Sequence, residues 1–498
     1  MIGQLALIVL AIGSLSLAQA PPADPATATN TSGKSRFNEA GFIVTRMDVA
    51  NAFLSLEKAL NERPMPDDQR ARVHREFDRI TGLFFLLKYS AAVQGLNELT
   101  DSIARPAATS IEAKLARALR VRLASAVAQT DQRIGLRIKI SPMYSIAMEK
   151  PAHLKLEITR EGERLPVLQQ DFTVETNGLT PVMTMRQPTG EAGKYRVEIV
   201  APNGFRSFAA MWFVADRPME LLRTFNEKRL RATAQSGEAM AQARVAVDAR
   251  NALLSDRPSE TDAARFFANQ SRLASELDFE IGEIEAGSDP FVNRAGDYWR
   301  AIYLGDVPVP VRIYVPQRVI DDGKPAPLVI VLHGASGDEG MFFEAYGLGE
   351  IKRQADQHGF IVVSPRVDIV KRAADPVNAI VKALSFDYSI DPKRVYAIGH
   401  STGALLAQSW AYSSGGGLAA VVQFSGAAEF TGAQDRPPTL LIGGELDLIF
   451  PPDRLQAFAD KAKQRGLRVE FRQIKDSGHT LIVGEKLPNA IDWLMSIK

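Results

Sequence analysis

The order of apolar and polar residues changes period along the chain. From about Asn38 to Gln129 apolar residues recur at helical steps. Val73, Phe77, Ile80, Phe84 and Leu87 fall at intervals of four, three, four and three, lining one helix face. Ile111, Leu115, Leu119 and Leu123 follow at steps of four. Pro64, Pro66 and Pro106 interrupt between segments. This pattern predicts a helical bundle over residues 38–130. His74, beside Val73 and among Arg72 and Arg75, reads as a solvated or half-buried helix residue.

The period then becomes two. Leu154, Leu156 and Ile158 alternate with Lys155, Glu157 and Thr159, and Tyr195, Val197 and Ile199 with Lys194, Arg196 and Glu198. Pro202-Asn203-Gly204 supplies a hairpin turn. Several strands in so short a span predict a small β-sandwich over 131–217. Such a module serves as a spacer or docking unit, or as a contact for carbohydrate or the cell envelope. His153, before a strand, reads as structural. The helical period returns over 218–288. Ser255 to Ser259, containing Pro258, divides it into two helices, and Ser259 with Asp262 resembles a cap for the second. Phe266, Leu273, Leu277, Ile281 and Ile284 follow one face, so a helical hairpin connector is expected.

Over 289–498 strands and helices alternate. Tyr298–Leu304 and Val307–Tyr314 read as an antiparallel pair. Then come the strand at Pro327–Leu332, a helix at Glu344–His358, strands near Phe360–Val363, Arg394–Ile398, Val421–Phe424, Thr439–Ile442 and Arg468–Ile474, and intervening helices. Apolar strands interleaved with helices predict an α/β, mainly parallel, doubly wound sheet. Its ligand site belongs at the carboxyl ends of the strands.

The N-terminus differs from the rest. Leu5 to Leu17 is apolar and uncharged, too short for a normal span of ~20 residues, and small residues follow it. Residues 1–20 read as a signal peptide, with cleavage after Ala18 preferred because a cut after Ala20 leaves Pro21 directly downstream. Met1–Gln4 carries no Lys or Arg, and the alternative is an uncleaved single-span anchor. Both readings place the body outside the cytoplasm, periplasmic or secreted; cleavage leaves no stable membrane span. Residues 21–37, rich in Pro, Ala, Thr and Ser, read as a flexible linker.

Composition narrows the function. A chain of 498 residues holds about two to four domains. Lys and Arg number 59 against 58 Asp and Glu, so no basic footprint marks nucleic acid as a partner. The absence of cysteine removes disulfides, thiolate metal sites and a cysteine nucleophile together. Only six histidines remain to be considered.

Four signals fall at strand ends of the last domain. Gly399-His400-Ser401-Thr402-Gly403 lies between a strand and a helix, the setting that raises a serine oxygen above a sheet. His333-Gly334-Ala335-Ser336-Gly337 follows the Pro327–Leu332 strand. An oxyanion needs fixed N–H donors. Thr402, just after the nucleophile, supplies one and Ala335 the second, with Ser336 an alternative. Gly443-Gly444-Glu445-Leu446-Asp447 supplies the acid, with Asp447 preferred to Glu445. Asp476-Ser477-Gly478-His479-Thr480 supplies the general base, His479. The other histidines lie in other domains, in the oxyanion loop, at a helix end or inside the serine turn.

The order Ser401, Asp447, His479 and these motifs resemble the α/β-hydrolase superfamily over roughly the last two-fifths of the chain. More narrowly, LHG, HGFIVVSP and RVYAIGHSTG resemble secreted esterases of the polyhydroxybutyrate-depolymerase and feruloyl-esterase type. Those commonly carry a cysteine after the HG and an alanine-rich serine turn, where this chain has Ala335 and Thr402, so their substrate does not carry over. The resemblance implies an acyl-enzyme on Ser401 and an ester substrate, with no metal or organic cofactor. The short interval from Phe424 to Pro438 leaves no room for a large lid, so an open site is expected. The competing readings are a serine peptidase of prolyl-oligopeptidase-like type and a non-catalytic envelope binding protein.

Overall fold

The computed structural model describes residues 44–62, 65–104, 108–123, 127–129, 136–177, 182–185, 191–215, 218–233, 237–255, 270–305, 307–412, 417–430 and 435–497. The expected signal peptide and linker lie outside these. Among the described residues no helix is long and apolar enough to cross a membrane.

Three helices open the described chain: α1 (Arg46–Glu62), α2 (Asp67–Phe85) and α3 (Tyr89–Ile103). They bury Leu56, Val73, Phe77, Ile80, Val93 and Leu96 against one another. The face expected on α2 holds for Val73, Phe77 and Ile80. Leu87, however, lies in the turn after the helix, at positive φ and 73% exposed. A fourth helix, α4 (Ile111–Ala118), ends sooner than expected. Leu119 and Leu123 belong instead to a strand, β1 (Leu119–Leu123). Both periods contain these positions, because a step of four is also twice a step of two. The alternation Leu-Arg-Val-Arg-Leu and pairing with β3 decide for the strand.

The next strands are β2 (Val127–Gln129), β3 (Leu136–Pro142), β4 (Ala152–Arg160), β5 (Leu168–Val174), β6 (Val182–Met185), β7 (Gly193–Val200) and β8 (Arg206–Ala215). They form one sheet of order β1-β3-β6 and another of order β2-β8-β7-β4-β5. Val121, Ile138 and Ile140 share an apolar core with Leu156, Ile158, Val197, Ile199 and Trp212. His153 meets Thr173 across paired strands.

The connector contains three described helices rather than two: α5 (Met219–Ala232), α6 (Gly237–Asn251) and α7 (Gln270–Glu285). The extra division follows from Thr233, whose extended backbone ends α5. This segment is not a free linker. Ala243, Val247, Leu273, Leu277 and Ile281 share a core with Trp299, Val309, Leu328 and Ile330 of the last domain. Fully buried Arg250 binds fully buried Glu280 at 2.9 Å, as well as Glu276 and the Trp299 carbonyl.

The C-terminal domain runs β9 (Gly296–Leu304), β10 (Val307–Val315), α8 (Gln317–Asp322), β11 (Ala326–Leu332), α9 (Glu350–His358), β12 (Ile361–Pro365), α10 (Val367–Val370), α11 (Pro376–Ser385), β13 (Ile390–His400), α12 (Thr402–Tyr412), β14 (Ala420–Phe424), β15 (Thr439–Gly444), α13 (Pro452–Gln464), β16 (Val469–Ile474) and α14 (Ile482–Ser496). The helix expected from Glu344 begins only at Glu350, because Gly347 and Gly349 take positive φ. Eight strands form a mixed sheet of order β16-β15-β14-β13-β11-β12-β10-β9, parallel from β12 to β16. Strand β11 is buried on both faces: Leu328 and Ile330 meet the connector side, and Val329 and Val331 the α9 and α14 side. The chain leaves β11 for β12 on one side and later returns to β13 on the other. The carboxyl ends of β11 and β13 therefore flank a switch point, where a crevice opens.

Candidate active site

Ser401 stands between β13 and α12 with φ 54°. An L-residue rarely adopts that region without a surrounding structure that imposes it. Here the Ser401 N–H donates to the Phe424 carbonyl on the adjacent strand at 2.9 Å, and Ala404 N–H donates to the Ser401 carbonyl at 3.0 Å. The flanking glycines are steric requirements. A Cβ on Gly399 would lie 2.5 Å from the Ala404 nitrogen, and one on Gly403 would lie 2.6 Å from the His333 carbonyl oxygen. Thr402 opens α12, so its N–H is among the first-turn donors that lack an acceptor within a helix.

Asp447 and His479 meet at 2.8 Å, Oδ2 to Nδ1. The carboxylate accepts, so the imidazole carries its proton on Nδ1 and keeps the Nε2 lone pair for proton transfer. The other Asp447 oxygen accepts the Ile449 and Phe450 N–H groups, both at 2.9 Å. Burial favours the protonated acid. The His479 imidazole and the backbone donors outweigh it and hold the carboxyl below its usual range. Burial likewise works against a charged His479, but the Asp447 carboxylate prevails and raises its pKa above the usual value. Glu445 is occupied elsewhere, accepting the Asp476 N–H at 2.9 Å.

The two histidines near Ser401 are neutral supports. His400 Nε2 lies 3.1 Å from the His479 carbonyl, which only accepts, so Nε2–H donates. Its Nδ1 then accepts the Tyr346 hydroxyl at 2.7 Å. Burial pushes the His400 pKa down to about 3. In the loop after β11, His333 Nε2 accepts the Val367 N–H at 3.0 Å, so its Nδ1–H donates to the Gly334 carbonyl at 2.8 Å. Burial again lowers the pKa.

Ser401, His479 and Ala335 line one cavity of about 190 Å³. Thus Ser401, Ala335 and His479 share the cavity, Asp447 is joined to His479, and Thr402 adjoins Ser401 at the start of α12. Among the described residues no group of three or more His, Asp and Glu is arranged to hold a metal ion.

The open site expected from the sequence is in part covered. The roof comes from α1 and α2, some 300 residues upstream in the chain. Arg46 donates to the Ser336 carbonyl at 2.6 Å. Buried Glu57 accepts the Gly347 N–H at 3.2 Å, and burial pushes its pKa up to about 8. The reading of His74 is also corrected: it is 1% exposed. Its Nδ1 accepts the Gly478 N–H at 2.9 Å, and its Nε2 meets Glu485 at 3.0 Å. One turn on, Asp78 accepts the His479 N–H at 2.9 Å, and burial pushes its pKa up to about 6. The only local signal for this pair was its position: His74 and Asp78 each follow a buried residue of the α2 stripe, Val73 and Phe77.

Comparison with known proteins places this geometry in context. Residues 363–496 match the phospholipase/carboxylesterase family model. The match is broader than the polyhydroxybutyrate-depolymerase and feruloyl-esterase likeness of the motifs. No curated protein matches the chain. Among solved structures, an S-formylglutathione hydrolase from Staphylococcus aureus is similar at 17% identity, over 41% of this chain and 99% of its own, with TM-score 0.34. Esterase 2 of Thermogutta terrifontis, phosphonylated by cyclosarin, is similar at 17% identity over 41% and 94%, with TM-score 0.34. A truncated carbohydrate esterase from gut microbiota is similar at 13% identity over 41% and 96%, also with TM-score 0.34. The family match and the site chemistry support a serine carboxylic ester hydrolase.

Proposed function

We propose that this serine hydrolase is an exported esterase that cleaves carboxylic esters through an acyl-enzyme on Ser401. One observation carries the reading: a serine held at positive φ shares a cavity with a histidine whose Nδ1 is bonded to a buried carboxylate. In the first half-reaction Ser401 Oγ attacks the ester carbonyl carbon, and His479 Nε2 takes the hydroxyl proton. The Thr402 and Ala335 N–H groups hold the oxyanion. The C–O bond to the alcohol breaks and His479 returns the proton to that oxygen. In the second half-reaction water attacks the acyl carbon, giving its proton to His479. The acid leaves as the proton passes back to Ser401 Oγ. Asp447 keeps the imidazole in the required tautomer throughout. No step calls for a metal or an organic cofactor.

The test is labelling of the purified chain by a fluorophosphonate, with the modified peptide identified by mass. Label on Ser401, lost in Ser401→Ala without a change in melting temperature, is the expected result. Folded protein that takes no label at Ser401 refutes the reading. Ester substrates should turn over faster than matched aminoacyl amides; the reverse would favour a peptidase. Export predicts a mature N-terminus at residue 19 in a periplasmic or secreted fraction, read by N-terminal sequencing.

A further inference from the structure

The walls of the cavity above Ser401 are largely apolar, and their larger apolar side chains come mostly from helices outside the C-terminal domain. Helix α1 contributes Val49, Ala50, Phe53 and Leu54, and α2 contributes Phe77 and Phe84. Phe53 and Phe77 pack at 5.1 Å between ring centroids. From the catalytic domain the apolar wall comes mainly from the segment after the oxyanion loop, at Met341 and Ala345. The side of the acid and base contributes only Ile449, His479 and Thr480.

This asymmetry assigns the two halves of an ester. The leaving alcohol must receive its proton from His479, and the hydrolytic water must later give one to it. Both therefore belong beside His479. The remaining direction from the carbonyl carbon leads along the Ala335–Ala345 segment and under α1 and α2. We infer that the N-terminal helices form the acyl pocket of the enzyme and select a linear, medium-length aliphatic acyl chain. This rests on the esterase reading above. The volume, about 190 Å³, exceeds the ~150 Å³ of an apolar cavity that admits benzene, so the pocket takes an acyl group of roughly six to eight carbons. Each methylene moved from water to this wall favours the acyl transition state by about fourfold. The bundle is anchored at both edges of the pocket, by Arg46 on the Ser336 carbonyl and by Asp78 on the His479 N–H.

The experiment is a series of p-nitrophenyl esters from acetyl to dodecanoyl on the full chain, with two variants. The wild type should rise in kcat/KM from acetyl to an optimum near hexanoyl or octanoyl. Ala50→Trp fills the pocket and should lower the octanoyl-to-acetyl ratio at least tenfold while acetyl turnover persists. Phe53→Ala enlarges the pocket and should move the optimum to longer chains. Fluorophosphonate labelling of Ser401 and an unchanged melting temperature report folding of both variants. An optimum at acetyl in the wild type, or an Ala50→Trp variant that loses all chain lengths in equal proportion, would overturn the inference and leave the esterase reading standing. A wild type that hydrolyses no ester in the series would overturn both.

Discussion

Replacing Gly478 by alanine tests how the N-terminal helices hold His479, the proposed general base. The new Cβ would overlap the Asp78 carboxylate, with Cγ 3.0 Å away. The carboxylate must retreat by about 1 Å to restore an ordinary contact. Neither side is free to move. Gly478 N–H donates to His74 at 2.9 Å, and Asp78 accepts the next N–H, that of His479, at 2.9 Å. If the carboxylate swings away, a charge-assisted hydrogen bond worth about 1.5–3 kcal/mol is lost. If the loop yields instead, His479 shifts by a comparable distance relative to Ser401, which costs on the order of 10²-fold in kcat. Asp78→Ala removes the acceptor without a clash and should lower kcat about tenfold. The double variant has room for the Cβ, so it should behave like Asp78→Ala alone. The assay is kcat and KM on one ester, normalised to Ser401 labelling. The coupling between the two substitutions should recover about 1.5–3 kcal/mol. Effects that simply multiply would refute the steric account, and a wild-type kcat in Gly478→Ala would refute the anchoring of the loop.

Asp447→Asn should leave the fold intact but favour the wrong His479 tautomer, reducing kcat by about 10⁴-fold in steady-state kinetics. Because the Asp447 carboxylate raises the His479 pKa, the acid limb of kcat/KM should lie above pH 6.5, activity falling as pH drops and His479 charges. Asp78 also favours the imidazolium, so Asp78→Asn should move that limb to lower pH in a pH–rate profile. Glu57 has its folded pKa raised from 4.5 to about 8 by burial, so its contribution is most favourable below 4.5 and is lost as pH rises toward 8. Glu57→Gln should therefore stabilise the protein at pH 8.5 and change little at pH 4.5, measured by thermal unfolding.

Much of the candidate site was legible in the chain because its determinants are local. A strand, a tight turn and a helix force small residues at 399 and 403, since backbone atoms on both sides leave no space for a Cβ. The sequence places Asp447 and Glu445 as competitors in one loop. The structure separates them, since Asp447 alone meets the imidazole while Glu445 serves the backbone of Asp476. The alternation of β4 and β7 likewise marked which residues turn inward. Where one pattern satisfied two periods, as at Leu119 and Leu123, strand pairing had to decide.

What the sequence alone determined is therefore what short-range geometry dictates: the serine turn, the order of the candidate site residues, and the buried strands of the last domain. The tertiary structure decided what covers that chemistry. His74 and Asp78 reach residues 404 and 401 positions away, and Arg46 reaches the Ser336 carbonyl 290 positions away. Periodicity tells which face of α2 is buried, but not against which surface. An apolar face lowers its free energy against any complementary surface, and only the packed chain selects one. Here that selection set the N-terminal helices against the cavity that Ser401 lines.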